Sequence, residues 1–221
     1  AAQIDNKMDT QVGSLVWMPT TGEFGLWGTF GDYDDHQKVA TRLGLHFSHS
    51  REEKQSQPGT EGIENSQIRL TDGSIIFTPN LFGPGITVNE LDYRMSSVDA
   101  GVKYKGLSLE GEYYWRWLSN FTGLNTSGIA NINDHGYQLQ TSAMVVPKAL
   151  QLYLGASQIF GRFGDQWEVR GGQNWYVMKE RGIRLNSELM YVDRSPVGYT
   201  AFPYPVGARG PVFHVNLEIN F

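Results

Sequence analysis

The closing run Pro211 to Phe221 constrains the fold more than any other stretch. In it Phe213, Val215, Leu217, Ile219 and Phe221 alternate with Val212, His214, Asn216, Glu218 and Asn220. A period of two puts the first set on one side of an extended strand and the second on the other. Such a strand needs a different medium on each face. A soluble β-sandwich offers a dry core and water, and an outer-membrane strand offers lipid and water, with an aromatic ring at the interface.

One strand does not separate these two cases, but repetition does. Leu107, Leu109, Gly111, Tyr113, Trp115 and Trp117 alternate with Ser108, Glu110, Glu112, Tyr114, Arg116 and Leu118. Val39, Thr41, Leu43, Leu45 and Phe47 form another apolar row, as do Tyr137, Leu139, Thr141, Ala143 and Val145. Trp167, Val169, Gly171, Gln173, Trp175 and Val177 repeat the pattern more weakly. Each run has about 10 residues, the length that crosses a bilayer when tilted near 45°.

Composition sets the remaining bounds. The 221 residues are 40% hydrophobic with no compositional break, which points to one unit. No apolar stretch approaches the roughly 18 residues of a transmembrane helix, so spanning by helices is excluded and spanning by strands is not. A polar mean hydropathy carries no weight, because alternation averages the two faces together. A net charge of -5 argues against a nucleic-acid surface. The absence of cysteine removes disulfides, thiolate catalysis and cysteine-held metals. Ala1-Ala2-Gln3 has the look of a stub left behind a small-residue cleavage site.

The spacing predicts nine strands, near 10–18, 39–51, 88–105, 107–118, 135–146, 149–160, 167–178, 183–194 and 211–221. Their links alternate. Lys105-Gly106, Pro147-Lys148 and Glu180-Arg181-Gly182 are tight, 161–166 is intermediate, and 52–87, 119–134 and 196–210 are long. An up-and-down barrel sorts its connections this way, with short turns at one end and longer loops at the other. Within 52–87, Gln67-Ile68-Arg69-Leu70 and Ser74-Ile75-Ile76-Phe77 flank Thr71-Asp72-Gly73, a hairpin signal. This hairpin is expected outside the membrane or folded into the lumen. The link 19–38, with Gly22, Gly25, Gly28 and Gly31 among Phe24, Trp27 and Phe30, should be a short turn by parity yet is long.

The run Gly31-Asp32-Tyr33-Asp34-Asp35-His36, the segment Ala40 to Phe47, and Val98-Asp99-Ala100-Gly101-Val102-Lys103-Tyr104-Lys105-Gly106-Leu107-Ser108-Leu109-Glu110-Gly111-Glu112-Tyr113-Tyr114 carry a resemblance. So do Tyr191-Val192-Asp193-Arg194-Ser195-Pro196 and Phe221. Over residues 10–221 the chain resembles the C-terminal part of the phosphate-selective porin O and P family and related outer-membrane porins. The resemblance implies an antiparallel up-and-down transmembrane β-barrel, with these strands as the C-terminal half of a larger, trimeric porin. It further implies an outer-membrane location in a Gram-negative-type envelope, with lipid and small hydrophilic solutes as partners. Acidic residues outnumber basic ones by 23 to 18, and the family's basic constriction has no matching positions here, so phosphate specificity is not carried over.

The polar rows give the candidate site. Lumen-facing positions are expected at Arg42, His46, Glu110, Glu112, Arg116, Glu168, Arg170, Asn174, Arg184, Asn186, Glu188, His214, Asn216 and Glu218. Mixed charges there either line a hydrated diffusion channel, with the 52–87 loop as constriction, or pair across strands to fill a closed, non-conducting barrel. Trp17, Trp115, Trp117, Trp167, Trp175, Tyr191, Phe213 and Phe221 are the expected aromatic girdle, with some of them instead in the core if the chain is a soluble β-protein.

Metal and catalytic readings are weaker. His46 and His49 point to opposite faces of one strand, and Asp32, Asp34, Asp35 and His36 lack the glycine and terminal glutamate of a calcium loop. His214 with Ser108 or Ser142 lacks a third partner and a glycine-flanked nucleophile. No cofactor, metal or enzymatic activity is expected.

Overall fold

The computed structural model describes residues 9–20, 24, 30–54, 68–196 and 204–219. Nine strands form one antiparallel sheet in chain order: β1 (Gln11–Trp17), β2 (Ala40–Glu53), β3 (Thr87–Tyr104), β4 (Leu107–Leu124), β5 (Ile132–Val146), β6 (Leu150–Phe160), β7 (Trp167–Tyr176), β8 (Ile183–Asp193) and β9 (Gly210–Ile219). Each strand pairs only with its sequence neighbours, so the topology is purely up-and-down. Among the described residues no ladder joins β1 to β9, and both strands are sheet edges. Phe221, Asn220, Gln67, Trp27 and the glycines at 22, 25 and 28 lie outside the described residues.

Two of the three tight links are confirmed where the sequence places them, at 105–106 and 147–149; the third is a correction, since β7 ends at Tyr176 and leaves 177–182 before β8. Lys105 (φ 48°) and Gly106 (φ 78°) form the β3–β4 turn in left-handed backbone, which glycine at the second position tolerates without strain. The links at 105–106, 147–149 and 177–182 share one end of the sheet with the long link before β2, here called the turn end; the remaining links share the other, the loop end. The predicted 119–134 loop is a correction. β4 continues to Leu124, paired with Thr87 of β3 across register shifts, and leaves only residues 125–131 as a connection, with a 3₁₀ turn at Thr126–Gly128. The period of two loses phase after Leu118, where register shifts against β3 fall between Val88, Glu90 and Asp92, while Phe121 beyond them packs on the apolar cluster described below.

The predicted hairpin exists, closed by a bridge between Arg69 and Ile75. Its Ile68, Leu70, Ile76 and Phe77 pack with Val88, Leu91, Leu118 and Ile132 into the principal buried apolar cluster. The hairpin tip also reaches the β8–β9 link, where Gly73 packs against Val206 and Pro196. One hairpin touches β3–β5 and the β8–β9 link only if the sheet curves around it. The core is therefore formed between the sheet's polar face and an inserted loop.

The long link before β2 has a corresponding role at the turn end. Asp32 is buried and accepts hydrogen bonds from the backbone N–H of Gly106 (2.8 Å) and of His36 (3.0 Å), and its carboxylate also contacts the His36 imidazole. The Tyr33 hydroxyl donates to the Lys179 carbonyl (2.6 Å), and Arg181 pairs with Asp34 (2.5 Å). Residues 30–38 thus run along the polar face from the β3–β4 turn to the β7–β8 turn. Its excess length is what crossing the sheet requires.

Candidate functional site

The register brings the predicted polar residues to one face. Arg42 lies opposite Gly101, Gly101 opposite Glu110, Glu110 opposite Gln140, Gln140 opposite Gly155 and Gly155 opposite Arg170. His46 is four residues along from Arg42, and Glu112 and Arg116 are two and six along from Glu110. Across β6–β9 the same side carries Glu168, Asn174, Arg184, Asn186, Glu188, His214, Asn216 and Glu218. Sequence reasoning missed Asp99, Lys103, Asp134, Gln140, Gln151 and Tyr153 on this face. The signal was present in β3, where the apolar Val98, Ala100 and Val102 assign Asp99 and Lys103 to the opposite side.

Two patches differ within this face. On β2–β5 the charges are paired: Arg42 with Asp99 (2.9 Å), His46 with the same carboxylate (2.6 Å), and Arg116 with a buried Asp134 (2.5 Å). Lys103 is buried, donating to the Phe24 carbonyl (2.7 Å) with its ammonium 4.2 Å from that ring. Phe24 fits because Gly101 has no side chain; a Cβ there would collide with the ring. Glu110 accepts from the Gly31 N–H (3.2 Å), so the crossing segment is tied to this patch.

On β5–β9 carboxamides dominate. Gln151 donates to the Ser142 hydroxyl (2.9 Å), Asn174 to the Gln151 carbonyl oxygen (2.8 Å), and Asn186 to Asn174 (2.9 Å) and to the Tyr153 hydroxyl (2.9 Å). Tyr153 donates in turn to Glu188 (2.8 Å). Gly172 makes room for it, since a Cβ there would come within 2.5 Å of the Tyr153 hydroxyl. Apart from Ser142, these groups line a cleft of about 870 Å³, with Arg170, Arg184, Asn216 and Glu218 on its wall and Phe30 and Tyr33 contributed by the crossing segment. Tyr33 also packs on Tyr176, with centroids 4.6 Å apart. Burial pushes the Tyr33 phenol above its usual pKa, helped by Tyr176 and opposed by Arg181.

The opposite face is apolar and uncovered. Leu154, Leu189, Phe213, Val215 and Leu217 all stand exposed there, Phe213 at 68%. Trp17, Trp115, Trp117, Trp167, Trp175 and Tyr191 share that face. Trp17 and Trp175 lie at the turn end of their strands and Trp167 at the loop end of β7. Trp175 is next to last in β7, whereas Trp115 and Trp117, which a strand ending at 118 would place by its end, lie well inside the longer β4. Ring contacts join Trp115, Tyr113, His135 and Phe160 across β4–β6, and Trp167 stacks on Tyr191 (5.5 Å).

The remaining candidates are not brought together. Ser108 and Ser142 of β4 and β5 hydrogen-bond to each other (2.8 Å), while His214 lies on β9, 3.7 Å from Glu188. His46 and His49 fall on opposite faces, and the acids of 32–36 diverge toward Gly106, Arg181 and Gln37. Among the described residues no group of three or more His, Asp or Glu side chains is placed to hold a metal ion. No family model, curated protein or solved structure matches this chain.

Proposed function

We propose that the chain is the C-terminal portion of an outer-membrane β-barrel porin, a passive diffusion channel for small hydrophilic solutes or ions. The observation that carries this reading is the bounded height of the exposed apolar face. On β4 it runs from Leu107 to Trp117, about 34 Å along the strand, or about 24 Å at a 45° tilt, close to the roughly 25 Å apolar band of outer-membrane barrels. Just past it the same face turns charged: Arg51 binds Asp92 (2.9 Å) and Glu90 (3.1 Å), and Asn120 donates to Asp92 (2.5 Å). A dry protein partner would not need such an edge at that height.

In this reading lipid wets the apolar face, water and solute meet the polar face, and the two patches act as an electrostatic filter. The free edges of β1 and β9 pair with further strands of the parent barrel, since an open edge cannot sit in hydrocarbon. The parent assembles as a trimer. The chain carries out no chemistry and needs no cofactor. Stepwise conductance after reconstitution of the parent protein into planar bilayers is the expected result, and its absence rejects the channel.

A second reading has its own observation. The 68–77 hairpin and residues 30–38 cover the polar face at both ends, as in a filled barrel that serves as a structural subunit of an outer-membrane complex. Folded, membrane-inserted protein that never conducts would favour it.

A further inference from the structure

We infer that the carboxamide cleft of β5–β9 is a transient binding station for neutral polyhydroxylated solutes, sugars and polyols, an inference that rests on the channel reading for its route of access. At about 870 Å³ the cleft lies within the roughly 300–1,000 Å³ of small-molecule sites.

Its charges are already spoken for. Arg184 pairs with Glu218, Arg181 with Asp34, and Arg170 both approaches Glu168 (3.5 Å) and donates to Gln140 (3.1 Å). Glu188 accepts from Tyr153 and faces His214. A phosphate or carboxylate would need a guanidinium released from its partner, at a cost in electrostatic energy that a neutral ligand does not incur.

What the cleft offers is a wall of groups that donate and accept at once. A sugar hydroxyl also does both, so a carboxamide can satisfy it in either sense. The chain of bonds from Ser142 through Gln151, Asn174 and Asn186 to Tyr153 holds these groups in fixed orientations, so little ordering remains to be done on binding. Asn216, facing Asn186 across the β8–β9 ladder, makes no side-chain hydrogen bond to the described residues and is open to a ligand. Phe30 and Tyr33 add ring surface at the cleft's margin, suited to the C–H face of a pyranose. Binding of this kind is weak enough to release, as a channel requires.

The test is calorimetric titration of sucrose into the detergent-solubilised parent protein, run beside inorganic phosphate and beside bilayer conductance in potassium chloride. Expected are saturable millimolar binding of sucrose, no competition by phosphate, a fivefold or greater loss of affinity in Asn216→Ala and Asn186→Ala, and no change in Val215→Ala on the opposite face. Asn216→Ala breaks no existing bond, so its fold is preserved even if Asn186→Ala disturbs the network. Conducting protein that binds no sucrose, or sucrose displaced by phosphate, overturns the inference and leaves the channel standing. Sucrose bound by protein that never conducts upholds the station and rejects the channel.

Discussion

The two patches of the polar face follow the same alternation and share one sheet, yet they are held by different forces. On β2–β5 full charges are locked in pairs, with Asp99 shared by Arg42 and His46 and Asp134 buried against Arg116. On β5–β9 neutral amides form a relay, and the charges stand at the cleft wall with partners of their own. A polar face is therefore not one environment. Where charges are desolvated, removing one partner strands the other; where amides bond, a lost contact costs only the bond.

The largest effect should follow from Asp134→Ala, which leaves the Arg116 guanidinium without its 2.5 Å partner in a mostly buried site. A loss of about 3–5 kcal/mol in unfolding free energy is expected from detergent micelles. If Arg116→Ala in the same background restored none of it, the paired-charge account of this patch would fail. In the neutral patch Asn174→Ala removes bonds to Gln151 and Asn186, and the expected loss is about 1 kcal/mol. Equal losses in the two patches would erase the distinction between them.

The smallest effect belongs to the strap that links the patches. Asp34 is exposed and Arg181 partly so, and Arg181→Ala should cost no more than about 1 kcal/mol, and less in high salt. Tyr33 beneath it supplies a pH dependence. Its phenol has a folded-state pKa above the unfolded one because burial disfavours the phenolate, so its contribution is complete below the ordinary tyrosine range. That contribution is lost as pH rises through the raised value. Unfolding followed across alkaline pH should show a smaller decline in Tyr33→Phe than in the unsubstituted protein.

Most of the strand pattern was legible because the medium imposes it. Val215 and Asn216 are adjacent in sequence and face opposite ways, and any strand held between unlike media repeats that choice at every residue. The register of β4 beyond Leu118 was not legible, since shifts against β3 break the period of two there, and Phe121 turns to the buried cluster between Asn120 and Thr122, which bond charged groups of β3. Nor could sequence explain the length of 19–38, because Asp32 acquires its meaning only from Gly106, a residue 74 positions away. The polar side of the candidate site was read residue by residue from periodicity. What divides it into two patches, Asp99 on one side and Gln151 with Tyr153 on the other, depends on which strands lie side by side.

The central claim is that lipid touches the odd-numbered side chains of β9 and water the even-numbered ones. Nitroxide labels placed singly at 213 through 218 in liposome-reconstituted protein read this directly, by their relaxation with oxygen and with a water-soluble nickel chelate. The account predicts high oxygen access at Phe213, Val215 and Leu217 and high nickel access at His214, Asn216 and Glu218. Equal access to both reagents along the strand, or the opposite phase, would contradict it.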